Sequence, residues 1–210
     1  MKLVRRAFLL ILITLVAVPA AAFVVVWTQA AEAIASSEAD GTLRDPPSDS
    51  TLTVAERAVA IAEFESTWNT RNDPCRSIAQ LWNTATQSGA RSPGMTVSDR
   101  LAMTIVMEAE QERSLRVQFV RLFADCQLEQ RYTDTQMLRA WLSNAYFGAG
   151  SYGIENAAQS LFGKNAANLD AWESAQLAAL LRAPRLKDDP QGLSERAALI
   201  ADRVANSQLP

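Results

Sequence analysis

The chain has 210 residues, 20 basic against 23 acidic side chains, a formal net charge of -3 and no histidine. That balance lacks the basic excess of a nucleic-acid binder, and the missing histidine excludes His-based catalytic triads, His-ligated zinc and histidine pH switches. Two cysteines, Cys75 and Cys126, allow at most one disulfide, and their spacing leaves open whether they pair.

Lys2, Arg5 and Arg6 precede an apolar run from Ala7 to Trp27. Its length suits a bilayer-spanning helix, and the basic flank favours a cytoplasmic N-terminus with the rest of the chain outside. Ala20 to Ala22 resemble the end of a cleavable signal peptide. The apolar run continues through Phe23 to Trp27, however, which favours a retained anchor over residues 1–28. The alanine-rich and then proline-containing stretch over 29–52, with DGTLRDPPSDS at its core, reads as a flexible linker. A single domain is expected over 53–206.

The domain reads as all-α, without sustained strand alternation. Thr53 and Glu56 have capping-box spacing and start a helix expected to reach Trp68. A short helix is expected over Ile78 to Thr84. Thr96 or Ser98 then caps a long helix expected to run to about Gln127. Within it, Glu108, Glu110 and Glu112 read as a solvated face, with a paired-carboxylate metal site as the alternative. Thr133 and Gln136 signal another start, and further helices follow over Met137 to Ala145, Ile154 to Leu161, Asp170 to Arg182 and Ser194 to Asn206. Pro184 fits the end of the Asp170 helix.

The densest stretch is Trp141 to Lys164, WLSNAYFGAGSYGIENAAQSLFGK. Gly148, Gly150 and Gly153 can take positive φ or let backbone approach closely. Tyr146, Phe147, Tyr152 and Phe162 can bury large apolar surfaces around them. The stretch resembles the run YLNxxYFGxGxYGxxxAAxxYFGK of glycosyltransferase family 51, the peptidoglycan transglycosylases. Tyr146, Phe147, Gly148, Gly150, Tyr152, Gly153, Ala157, Ala158, Phe162, Gly163 and Lys164 match it. Downstream, NLDAWESAQLAALLRAP is similar to the family's LxLxExAxLAxLxxAP through Leu169, Glu173, Ala175, Leu177, Ala178, Leu180 and Pro184.

The resemblance implies an all-α, lysozyme-like transglycosylase domain behind the N-terminal helix. It also implies a processive glycan polymerase that uses lipid II, a lipid-diphosphate-linked disaccharide peptide. In AIAEFESTWNTRN, Glu63 takes the position of the family's catalytic glutamate, while Phe64, Thr67, Thr70 and Asn72 replace its aspartate, aromatic, histidine and glycine partners. In GMTVSDRLAMT, Gly94, Thr96 and Leu101 match GSTITQQLxKN, but Asp99 and Arg100 replace the glutamines and Met103 the lysine. In the third motif Leu128, Glu129 and Leu138 match; Arg121 stands where a second functional glutamate is expected, and Gln118 and Asp134 replace lysines. Ser143 replaces the asparagine of the densest motif.

The scaffold half of the pattern is therefore close and the reactive half is not. Glu63 is the expected catalytic residue, with Thr96, Arg100 and Lys164 as candidate substrate-binding residues. For Thr96 the alternative is a helix cap, and for Arg100 a surface ion pair. The sequence demands no cofactor or metal, although the family admits a divalent cation. Expected partners are lipid II or a growing glycan strand, membrane lipid and cell-wall assembly proteins, and no nucleic acid. The substituted positions leave activity open: the alternative to a polymerase is a noncatalytic scaffold or lipid II-binding protein that keeps the fold. A muramidase-like hydrolase, with Glu63 as general acid, is the third reading.

Overall fold

The computed structural model describes residues 2–41, 43, 51–68, 95–109, 114–148 and 150–207. The elements are α1 Lys2–Ala39, α2 Val54–Phe64, α3 Val97–Ala109, α4 Leu115–Arg131, α5 Asp134–Asn144, α6 Ile154–Phe162, α7 Ala171–Arg182 and α8 Pro190–Asn206. Short 3-10 turns at Ala166–Asn168 and Pro184–Asp188 flank α7. Among the described residues the only β pairing is an isolated antiparallel bridge between Tyr146 and Tyr152. The expected all-α class is what the chain adopts.

The packing divides into two groups. Helix α7 packs against α2 on one side and α8 on the other, while α1, α3 and α4 pack together. Helix α5 joins them, touching α3, α2 and α6. Helix α7 sits at the centre because it is small and apolar on most of its circumference: Ser174, Ala175, Leu177, Ala178, Ala179 and Leu180 are all buried. A helix buried nearly all round belongs inside a bundle. Its start is fixed by a capping box, with Glu173 N donating to Asp170 Oδ1 at 2.8 Å and Asp170 N donating to Glu173 Oε2 at 3.0 Å. The same device starts α2 through Thr53 and Glu56 and α5 through Thr133 and Gln136.

Three sequence expectations need correction. The first concerns 29–52, of which Gln29–Ala39 are helical and continue α1 without a break. They do so because Ala30, Ile34 and Ser37, spaced four and three residues apart, form a buried stripe against α4. Phe23 and Trp27 extend the contact, with ring centroids 5.0 Å and 5.7 Å from Phe123. Gln127 Nε2 donates to Trp27 O at 3.2 Å, and Tyr132 Oη donates to Glu38 Oε1 at 2.7 Å. By length and composition Ala20–Ala39 is apolar enough to cross a membrane, yet its later half is a domain element. The second correction splits the long helix expected from Thr96 to about Gln127 into α3 and α4. The break has a local cause at its far side: Ser114 takes extended backbone and accepts from Val117 N at 3.3 Å, starting a new helix. The last helix also starts earlier than Ser194, at Pro190, where Asp189 Oδ1 accepts from Gly192 N at 3.0 Å. The expected helix over Ile78 to Thr84 lies outside the described residues, as do Thr70, Asn72, Glu110 and Glu112.

The glycine-rich stretch is a crossing between α5 and α6, as its composition suggests. Gly148 has φ 93°, and a Cβ there would lie 3.1 Å from both Cβ and O of Pro184. Gly153 has φ 86°, and its Cβ would meet Ser143 O at 2.6 Å. Only glycine lets the α5–α6 crossing press against the end of α7 and the end of α5. Phe147 is buried beneath this contact, whereas Tyr146 and Tyr152 stack tilted on its outer side with centroids 5.0 Å apart.

Candidate active site

Glu63 lies in the last turn of α2, where the two helix groups meet. Its side chain is only 9% exposed. Arg100 from α3 brings Nη2 to 3.5 Å from Oε2, and Arg182 from the end of α7 brings Nε to 3.8 Å from Oε1. Arg182 is anchored separately, with Nη1 donating to Ala62 O at 3.2 Å. The Arg100 guanidinium lies 5.6 Å from the ring centre of Trp141 on α5, within cation–π range. Trp141 in turn meets Phe64 edge-on at 5.5 Å. Three helices thus meet at one carboxylate, with Trp141 of a fourth against Arg100 and Phe64, and Glu63 Oε1 has no hydrogen-bond partner among the described residues. A buried acceptor left without a donor is costly, of the order of 1–3 kcal/mol, and Oε1 is itself buried.

Thr96 is brought to the start of α3 and is buried. Its Oγ1 accepts from Asp99 N at 3.2 Å and lies 2.9 Å from Ser98 Oγ. The hydroxyl is therefore a helix cap within a buried network. Ser98 Oγ donates to Glu129 Oε1 at 3.0 Å. Asp125 joins the same network one turn before Glu129 on α4; it is 5% exposed and its Oδ1 has no protein partner. Burial pushes the Asp125 carboxyl up from 3.8 to about 6; a hydrogen bond with Ser98 opposes this, the Asp99 charge adds to it, and the Arg121 charge opposes it.

The substituted motif positions come together in space. Met103, Gln118 and Arg121 line one cavity of about 260 Å³ between α3 and α4, together with Val106, Met107, Ser114 and Val117. Where the resemblance expects two lysines and a carboxylate, the wall is mainly apolar. Arg121 is held there by Asp99, Nε to Oδ1 at 3.5 Å. These are two departures from the motif pattern, one on each helix, and they form an ion pair with each other.

Lys164 is elsewhere. It follows α6, and its Nζ donates to both Glu173 oxygens, at 2.6 Å and 2.8 Å, which raises the Lys164 pKa. Glu173 opens α7 and Arg182 closes it, so Lys164 sits about 13 Å along the helix axis from the Glu63 end. The structure brings Glu63 and Arg100 together, places Thr96 in the network beneath Arg100's helix start, and leaves Lys164 apart.

Arg182 and Trp141 were missing from the sequence-derived site. Arg182 entered only as the end of the expected Asp170 helix, and Trp141 only as the first residue of the scaffold run. The available signal was an arginine immediately before Ala183-Pro184, the one basic residue in the matched motif. Cys126 is in a disulfide; the chain's other cysteine, Cys75, lies outside the described residues. A resident divalent cation does not fit what surrounds Glu63. Two guanidinium groups face its oxygens, and among the described residues no three Asp, Glu, Cys or His side chains converge to hold a metal.

Comparison with known proteins agrees with this frame. The family model described as Transglycosylase matches residues 51–205, from the approach to α2 through all but the last residue of α8. The chain is 30% identical over 168 residues to the biosynthetic peptidoglycan transglycosylase of Burkholderia pseudomallei (strain K96243), covering 78% of this chain and 65% of that protein. A similar relative of the same name in Burkholderia thailandensis is 30% identical over 159 residues, covering 74% of this chain and 61% of the relative. Penicillin-binding protein 2a of Streptococcus pneumoniae (serotype 2, strain D39) is 34% identical over 101 residues, which are 47% of this chain and 13% of that protein. The chain thus spans just under two thirds of the first two relatives. With the family match running through α2 to α8 and the glycine crossing seated where the motif requires it, the chain belongs to the transglycosylase family.

Proposed function

We propose that the chain is a peptidoglycan glycosyltransferase that polymerises lipid II into glycan strands at a membrane surface. One observation carries the reading: a nearly buried carboxylate, Glu63, held between two guanidinium groups, with one oxygen that accepts no hydrogen bond. Glu63 accepts the proton of the incoming sugar hydroxyl. The hydroxyl oxygen then forms a bond to the anomeric carbon of the donor as the bond from that carbon to the lipid diphosphate breaks. Arg100 and Arg182 orient the carboxylate and stand where a developing anionic charge would be stabilised. Helix α1 keeps the domain beside a lipid-linked substrate. In this reading it is a single-pass anchor in the bacterial cytoplasmic membrane, with the domain on the periplasmic or extracellular side. The membrane lipid and the growing strand are its immediate partners, and cell-wall assembly proteins are the wider ones.

The mainly apolar cavity at Met103, Gln118 and Arg121 favours a second reading, a noncatalytic lipid II-binding or scaffold protein with the same frame. One assay separates them. Purified full-length chain is mixed with lipid II in detergent, and products are resolved as glycan strands on a gel. Polymer from wild type, reduced at least a hundredfold in Glu63→Gln, supports the enzyme. Saturable lipid II binding without polymer supports the second reading. Full activity in Glu63→Gln would remove Glu63 from the mechanism.

A further inference from the structure

A second cavity, of about 320 Å³, opens on the far side of Arg182, between the ends of α2 and α7, the turn after α7, and α8. Its lining includes Arg182, Arg196 and Arg203, with Leu199 and Ile200 from α8 and a single carboxylate, Glu195. Arg196, Ile200 and Arg203 share one face of α8 because they are spaced four and then three residues apart. The two arginines stand about 10 Å apart along the axis, so their long side chains can converge on one ligand. Among the described residues, neither Arg196 nor Arg203 has an ion-pair or hydrogen-bond partner. Glu195 accepts from Gln191 Nε2 at 3.0 Å, so its charge is partly engaged along its own helix. With Arg182 paired to Glu63, Arg196 and Arg203 against Glu195 still leave an excess of positive charge in a concave site, and planar guanidinium forks match phosphoryl oxygens.

We infer that this cavity is an oxyanion site for a phosphate or diphosphate group. Arg196 and Arg203 supply the free charge, and Arg182 is shared between the cavity and Glu63. The inference goes beyond the proposed polymerase and does not depend on turnover, because the ligand is read by binding alone. The phosphate can belong to a soluble diphosphate or to a lipid headgroup, and two arms separate these sources.

In the first arm, inorganic pyrophosphate is titrated calorimetrically into the full chain in a non-ionic detergent. In the second, flotation with phosphatidylglycerol vesicles is compared with flotation with phosphatidylcholine vesicles, and the difference between the two is the readout. Saturable pyrophosphate binding that weakens at least tenfold in Arg196→Ala combined with Arg203→Ala, and less in the paired Arg→Lys variant, assigns a soluble diphosphate. A preference for phosphatidylglycerol that falls in the same variant, without pyrophosphate binding, assigns a headgroup. Arg203→Ala alone, at an exposed position, is the second variant should the double change unfold the chain. The inference is overturned if neither arm shows binding with the folded chain, or if binding is indifferent to both variants.

Discussion

Replacing Asp125 by asparagine should stabilise the protein at neutral pH, although it removes a charged residue from a hydrogen-bonded network. Asp125 is buried on α4 beside Ser98, Asp99, Arg121 and Glu129, with Oδ1 unpartnered. Burial raises its folded pKa from 3.8 to about 6, and the Ser98 hydrogen bond and the Arg121 charge only partly oppose that. The sign follows from linkage: the protonated form is favoured by folding, so this group's contribution is fully present below about pH 4 and is lost as pH rises through about 6. The rise corresponds to about 3 kcal/mol at pH 8, taking 1.36 kcal/mol per pH unit. An asparagine side chain at this position would be neutral at every pH and close in shape to the carboxylic acid. Asp125→Asn should therefore match wild type near pH 4 and melt higher at pH 8, by about 6–12 °C for a chain of this size. Thermal denaturation of the two proteins from pH 4 to pH 8, read as their difference, removes the titration of all other groups. A difference that stays constant with pH, or a variant less stable at pH 8 than at pH 4 relative to wild type, would refute the assignment of burial as the dominant cause.

Three further outcomes are expected. Ile34→Ala should cost about 2–5 kcal/mol of domain stability, measured by chemical denaturation, because Ile34 is fully buried in the part of α1 that packs on α4; no effect would mean that this part of α1 is not a domain element. Arg139→Ala should cost about 3–5 kcal/mol: its Nε lies 2.8 Å from Glu56 Oε1, both side chains are largely buried, and Nη2 also donates to Thr51 O at 2.8 Å, so the change strands the capping glutamate of α2. Arg121→Glu should destabilise the folded chain through Asp99 and Asp125, and adding Asp99→Gln should recover about 0.2–1 kcal/mol of that loss, because the Asp99–Arg121 pair is partly exposed; a double-mutant cycle with no coupling would show that the two substitutions are independent.

The fold was legible in the sequence wherever local chemistry dictates backbone. The capping pairs Thr53/Glu56, Thr133/Gln136 and Asp170/Glu173 start the helices they were expected to start. Gly148, Gly150 and Gly153 all take the positive φ that their motif suggests. What escaped was set by tertiary contact. The alanine, glutamate and glutamine of Gln29–Ala39 favour helix by propensity, but only the surface of α4 decides that Ala30 and Ile34 are buried as a domain element. The break between α3 and α4 depends on Ser114, one serine in a polar stretch that otherwise continues helical spacing. Arg182 is 119 positions from Glu63, and no periodicity links them; only the close packing of α2 on α7 brings a guanidinium to that carboxylate.

The same distinction explains why a motif comparison alone misjudges the reactive side. Position by position, Asp99 and Arg121 read as two separate losses, a glutamine and a glutamate. In space they are one exchange, an acid on α3 and a base on α4 that hold each other at 3.5 Å. The exchange leaves the side of the site lined by Met103, Gln118 and Arg121 mainly apolar. The surplus of unpaired positive charge lies on the other side of Glu63, where Arg196 and Arg203 face the cavity with Arg182. The proposed oxyanion site draws its charge from α7 and α8, and of these two helices only α7 lies within a matched scaffold motif. The close scaffold and the divergent reactive wall meet at the end of α7, where Arg182, the one of these arginines inside a scaffold motif, faces Glu63.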